Sequence, residues 1–407
     1  MSPPRVHLRA GLAVLALTGV LGWAWTGHAR RVEERFIHAL AADIVPEAIA
    51  GEALARAALG QPNLLLAYGS SELISGAGER DYSASRIFRT YPTGFNVFTI
   101  ARNSRNSLLI AQDLAAAGEA LRGRKVVVSF TPWMFVDQQI TQKKYAGNFS
   151  LLHAQELAFG AGLSYATRRR AARRMLGYLG TTERDPLLHF ALRLLAGGSV
   201  LQRALFAALE PLGRLETMIV RLQDHAECLA YLRGRPKLDP AVPTAPAAVD
   251  WAAIEAHAEK EQVAHSATNP YGIEDMIWMK GLRAWRTNPG SAGSQDAKII
   301  RLLQDSREWE DLDIMLSVLR ELGARPLLLS RPINGPVWDA QGISHTARKV
   351  YYDKLHRAAA FRGVPVVAFE DHDSDLHFSR DFFSHTSRKG WVDVDEVLDA
   401  FYHDTLR

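Results

Sequence analysis

The chain has 407 residues, 47% of them hydrophobic and 23% charged, which suits a large buried core and excludes a disordered chain. A net charge of +4 is too small to argue for nucleic acid but fits work beside an anionic membrane surface. The single cysteine, Cys228, excludes an internal disulfide and any Cys-based zinc site.

Residues 10–27 (AGLAVLALTGVLGWAWTG) carry no ionisable side chain, with Arg5 and Arg9 before them and Arg30, Arg31 and Arg35 after. As a helix this run spans about 27 Å, close to the hydrocarbon thickness of a bilayer. It is read as an uncut signal anchor, residues 1–31. Two readings compete with it. Gly27-His28-Ala29 offers a small-x-small cleavage site for a secretory signal, and a buried globular helix is disfavoured by the terminal position and basic flanks. Arginines on both sides leave the positive-inside rule indecisive. The site chemistry below points to an extracytoplasmic domain over residues 32–407.

Five short apolar runs then look like buried strands: 63–68 (NLLLAY), 95–100 (FNVFTI), 125–130 (KVVVSF), 325–330 (RPLLLS) and 364–369 (VPVVAF). Continuous apolarity without alternation suits strands covered on both faces, as in a parallel sheet. Leu312, Met315, Leu319 and Leu322 recur at helical spacing with Gly323 at the C′ position, and Trp391, Val394, Leu398 and Phe401 do so near the C-terminus. The pattern predicts an α/β fold with a doubly wound parallel sheet. Between the third and fourth strands it predicts a helical insertion at about 136–297. There Arg168, Arg169, Arg170, Arg173 and Arg174 form either a solvated helix face or a contact for acidic headgroups or an anionic polymer. The Pro/Ala-rich stretch 236–248 reads as a stiff connector.

Directly after the first strand stands Gly69-Ser70-Ser71-Glu72-Leu73. A serine hydroxyl is a weak nucleophile until a base takes its proton, and the C-terminal edge of an open α/β sheet is where such groups gather. Gly69 allows a tight turn there, and the Ser71 backbone N–H is positioned to face a developing oxyanion. The second glycine of the G-x-S-x-G elbow is missing. The spacing is instead that of the GDSL pattern of SGNH hydrolases, with Ser70 in the aspartate's place and Ser71 as nucleophile. Small polar residues after a strand are also ordinary turn formers, so the segment needs a partner elsewhere.

That partner is near the C-terminus, where residues 378–391 read FSRDFFSHTSRKGW. A histidine just before the last helix, with an aspartate upstream, is the arrangement SGNH enzymes use. Asp381 would hold one ring nitrogen of His385 while the other takes the Ser71 proton. SGNH enzymes space this pair D-x-x-H; here three residues intervene, which leaves Ser384 and Asp375 as alternative orienters. Asp371, Asp373 and Asp375 mimic a calcium loop, but Leu376 stands where glycine is needed and Phe382 where the bidentate glutamate belongs. His372 and His377 are read as part of a solvated polar loop rather than as metal ligands. No cofactor or metal is expected.

GSSEL at 69–73, SFTPWMF at 129–135, RPINGPVWDAQG at 331–342 and SHTSRKGWVDVD at 384–395 resemble, in order and spacing, successive motifs of the D-alanyl transfer protein DltD family. The likeness covers about residues 10–405 and is weakest over about 150–290. It implies a single-pass protein of the inner or plasma membrane whose SGNH-like domain faces outward, into the periplasm. That domain would help transfer activated D-alanine to an envelope glycopolymer, with a membrane-bound O-acyltransferase and a D-alanyl carrier protein as partners. Carried over residue by residue, Ser71, Asp381 and His385 match the family's catalytic set. Gly69, Ser70, Asn103, Asn106 and Trp133 are the candidates for oxyanion or substrate contacts. The glycine that SGNH enzymes place after the second strand is absent from residues 101–106. For Asn103 and Asn106 helix capping competes, and for Trp133 a core role. Two other functions stay open: a polysaccharide O-acetyltransferase or esterase of the SGNH group, and a non-catalytic docking protein of the D-alanylation machinery.

Overall fold

A computed structural model describes residues 4–43, 51–76, 78–136, 140–235, 245–285 and 290–406. Five strands, β1 (Leu64–Gly69), β2 (Asn96–Ala101), β3 (Lys125–Phe130), β4 (Arg325–Ser330) and β5 (Val366–Val367), form one sheet. All neighbours pair in parallel, in the order β2-β1-β3-β4-β5. β1 is buried along its whole length because its two faces enter two different cores. Leu64, Leu66 and Tyr68 point into one, Leu65 and Ala67 into the other.

The first four strands match the apolar runs to within a residue. The fifth does not: of residues 364–369 only Val366 and Val367 pair. Pro365 has no N–H to give a ladder, and its carbonyl accepts from Leu328 N at 3.0 Å, so the strand is a short edge. The helix Glu308–Glu321 turns Leu312, Met315 and Leu319 fully inward, and Gly323 beyond it takes φ 72°. Ser387 caps the helix Arg388–Tyr402 by accepting from Gly390 N at 3.1 Å, and Trp391, Val394 and Leu398 are buried.

Between β3 and β4 the described chain is mostly helical; its longest element is Val200–Arg233, opened by a capping box of Ser199 and Gln202. The arginine cluster is only partly a solvated face: Arg173 is exposed, but the cluster is tied into the protein. Arg168 pairs with Glu210 at 3.0 Å, Arg170 with Asp313 at 2.5 Å, and Arg174 holds both oxygens of Asp311 at 2.6 and 2.9 Å. Arg169 and Arg173 donate to the Ala196 carbonyl. These arginines brace their own helix, Tyr165–Met175, against three others. Residues 236–244 of the expected connector lie outside the described residues; beyond them Ala247 N donates to Pro92 O at 3.0 Å, beside β2.

The N-terminal helix Pro4–Asp43 changes character along its 40 residues. Leu12, Val14, Leu17, Val20 and Leu21 are 57–63% exposed, whereas Ala29, Ile37, Leu40 and Ala41 are fully buried. The apolar run is therefore not a core helix. Among the described residues this is the one helix long and apolar enough to cross a membrane.

The strand order positions the site. The chain runs outward from β1 to β2, then crosses back over β1 to β3 and on to β4. The connections after β1 and β3 diverge, leaving a crevice at the C-terminal ends of the strands.

Candidate active site

β1 ends at Gly69 and the chain enters a single 3-10 turn, Ser71–Leu73. A side chain at 69 would collide with the Glu72 carboxylate and Leu73, so glycine is required by close approach. Ser70 is buried and committed. Its N–H donates to Glu72 Oε1 at 2.9 Å, its hydroxyl donates to Arg102 O at 3.2 Å, and it accepts from Arg105 N at 3.0 Å. It fastens the loop after β1 to the loop after β2. Ser71 remains half-buried, with Oγ 2.8 Å from His385 Nε2.

The histidine comes from a tightly tied loop. Arg380 N donates to His385 O at 2.9 Å and Ser387 N to Phe378 O at 3.0 Å, with a bridge between Ser379 and Thr386. Inside it, Asp381 Oδ1 accepts from Phe383 N at 2.8 Å and from His385 N at 3.1 Å, leaving Oδ2 to meet His385 Nδ1. The extra residue between Asp381 and His385 is absorbed at Ser384, which takes φ 62°. Neither alternative orienter reaches the ring. Asp375 is held by Lys389 at 2.7 Å, and the buried Ser384 hydroxyl has no partner.

Burial pushes the Asp381 carboxyl up, but His385 and the Phe383 N–H outweigh it and hold it below its ordinary value. An ionised Asp381 can only accept, so Nδ1 carries the proton and Nε2 is left to accept from the Ser71 hydroxyl.

Near Ser71 lies a buried ionic group whose roles the sequence did not reveal. Burial raises the Glu72 carboxyl despite the Ser70 N–H, Arg331 and His385. Arg331 is fully buried, pushed down to about 10, with its guanidinium 5.2 Å from the Trp391 ring and its nitrogens without hydrogen-bond partners. Burial raises the Asp395 carboxyl well above its usual range. Glu72, Arg331 and Asp395 all fall inside the quoted motifs, which was the available signal.

Ser71 and His385 open onto a cleft of about 450 Å³. Trp133 forms part of its wall and part of the core. Its N–H donates to Phe382 O at 3.0 Å, and its ring lies 5.2 Å from Trp338 and 5.6 Å from Phe383. The Asn106 side chain caps the helix Ser107–Ala117 by accepting from Leu109 N at 3.2 Å and donates to Asp311 at 3.0 Å. It is thus spent on structure rather than turned to Ser71. Asn103 lies off the cleft, and its carbonyl accepts from Asn148 at 3.0 Å.

The far wall carries Arg174, Tyr178, Glu308 and Asp311. Glu308 accepts from Ser107 N at 2.7 Å; burial and then Asp311 raise its carboxyl to about 8. Burial raises Asp311 to about 6 against the pull of Arg174. No local motif marks these residues, because helices far apart in the chain bring them together. Among the described residues no three or more His, Cys, Asp or Glu side chains converge as metal ligands would.

A family model described as DltD protein matches residues 41–403, a span that contains every residue of this site. The chain belongs to the DltD family. Protein DltD of Bacillus subtilis is 25% identical over 344 residues, covering 84% of this chain and 83% of the relative. Protein DltD of Staphylococcus aureus is 22% identical over 335 residues, covering 81% and 79%. DltD proteins are involved in D-alanylation. The DltD match begins at residue 41, so the likeness rests on the folded domain and not on the apolar run.

Proposed function

We propose that this DltD-family protein passes a D-alanyl group to a hydroxyl of a cell-envelope glycopolymer through an acyl–Ser71 intermediate. The observation that carries the reading is the 2.8 Å contact between Ser71 Oγ and His385 Nε2, with Asp381 on the opposite ring nitrogen. As Oγ bonds to the carbonyl carbon of an ester- or thioester-linked D-alanine, His385 Nε2 takes the hydroxyl proton. The tetrahedral centre then collapses, the bond to the donor's oxygen or sulfur breaks, and His385 returns the proton to that leaving group. An acceptor hydroxyl repeats the sequence in reverse: it gives its proton to Nε2, attacks the acyl carbon, and Ser71 leaves with the proton. Within the 3-10 turn, Leu73 N bonds Ser70 O and Ile74 N bonds Ser71 O, so the turn itself makes no use of the Ser71 N–H. That amide is our candidate oxyanion donor.

The N-terminal helix supports a single-pass anchor, and we place the catalytic domain outside the membrane, where an envelope polymer is within reach. A membrane-bound O-acyltransferase and a D-alanyl carrier protein are the partners this reading requires to deliver the acyl group.

Ser71→Ala is expected to lower transfer of labelled D-alanine by on the order of 10⁴-fold or more while leaving the chain folded and membrane-bound. Full retained transfer would indicate a docking protein instead. Preference for labelled acetate over labelled D-alanine would indicate an O-acetyltransferase.

A further inference from the structure

The helix Val200–Arg233 is apolar on the face turned away from the protein. Its inner face buries Phe206, Gly213, Thr217 and His225. The opposite face carries Leu201, Leu205, Leu212, Leu215, Met218 and Ile219, each 45–69% exposed. Their spacing keeps them on one side of the helix over five turns. Of the charged side chains, Arg203 sits over Tyr165, Arg214 pairs with Glu210, and Arg221 reaches Glu156, while Glu216 on the strip's flank is half-buried with its carboxyl raised by burial and hydrogen-bonded to Asp185. A continuous apolar strip of this length on a protein surface marks a contact.

Its position says what it contacts. His225 and Glu33 form a buried pair at 2.7 Å that fastens this helix to the N-terminal one. Glu33 follows the last residue of the apolar run, Gly27, by six positions, about 9 Å along a helix. That is within a few ångström of the headgroup layer, and Arg30 and Arg31 occupy the interval.

We propose that the outward face of the helix Val200–Arg233 seats in the phospholipid surface beside the anchor, as a second membrane contact. The proposal rests on reading the N-terminal helix as a membrane anchor. The contact would also set the pose of the catalytic cleft. Arg168 ties the helix Tyr165–Met175 to Glu210 on this strip-bearing helix, and Arg174, on that same helix, lines the cleft. The bilayer, the two packed helices and the cleft wall form one mechanical chain. Spacing of three and four residues also suits a partner helix from a second copy, but that would not account for the fastening beside the anchor.

The test uses the full chain, Cys228→Ala, with single cysteines at Leu205, Leu212 or Ile219 carrying a nitroxide. Leu17→Cys reports the anchor and the exposed Lys349→Cys reports water. In vesicles of neutral and anionic phospholipid, collisions with oxygen are compared with collisions with a water-soluble nickel chelate. The oxygen-to-nickel ratio at 205, 212 and 219 is expected to exceed that at 349 by about tenfold or more, because the acyl region excludes water. Water-like ratios there, with lipid-like values at 17, overturn the proposal. So does shielding from both reagents with short spin–spin distances between copies, which would indicate self-pairing. Water-like ratios at 17 as well overturn the anchor and the proposal with it.

Discussion

Ser384 decides how this chain can place three residues between its aspartate and histidine and still bring them together. At φ 62° it folds the surplus residue under the loop, so that Asp381 accepts both the Phe383 and His385 amides and still meets the ring. Ser384→Gly is therefore expected to keep both stability and activity, while Ser384→Val strains the left-handed backbone by roughly 1–2 kcal/mol and lowers kcat. Denaturant unfolding and steady-state kinetics on the two variants check this; a tolerated valine would contradict it. Asp381→Asn keeps the shape but favours the wrong imidazole tautomer, so kcat should fall by about 10⁴-fold with little change in unfolding midpoint. The serine–histidine pairing was legible because each residue sits in a short, recognisable segment. The orienter was read as Asp381 but left open to Ser384 and Asp375, because the family spacing is broken and the positive φ at Ser384 that restores the geometry has no signature in the sequence.

At the scale of elements, the clasp between the helix Ser107–Ala117 and the helix Glu308–Glu321 includes one acid, Glu308, that burial holds protonated. Glu308 accepts from Ser107 N with its carboxyl raised from 4.5 to about 8. A raised folded pKa means that its stabilising contribution is fully present below the unfolded value of 4.5 and is lost as pH rises through about 8. Glu308→Gln should flatten the decline of thermal stability between about pH 5 and pH 9; an unchanged slope would contradict this. Arg174→Ala leaves Asp311 buried without its bidentate partner, an expected loss of about 3–5 kcal/mol in denaturant unfolding. Strands β1 to β4 were readable because both-face burial writes itself as unbroken apolar runs, whereas β5 failed on the missing N–H of Pro365. The arginine cluster was misread for a different reason: the acid that Arg174 holds lies 137 positions away, so nothing nearby in the chain announces that its charge is already used.

For the whole molecule, the order β2-β1-β3-β4-β5 opens a crevice at the end of β1, and the loop before the last helix delivers His385 into it across a separation of 314 residues. The buried group of Glu72, Arg331 and Asp395 and the cleft's far wall of Glu308 and Asp311 both arise from tertiary burial, which local sequence does not display. The N-terminal helix was legible by length and composition, but its continuation into the domain as far as Asp43 was not, because residues 29–41 bury small and apolar side chains that carry no distinct local pattern. The central claim is that Ser71 is a nucleophile activated by His385, and trapping it is the direct measurement. The full chain in detergent is treated with a serine-directed fluorophosphonate, and the modified peptide is located by mass spectrometry. The expected result is one adduct on Ser71, absent in Ser71→Ala and formed about 10³-fold or more slowly in His385→Ala. No adduct at Ser71, or undiminished labelling without His385, would contradict the claim.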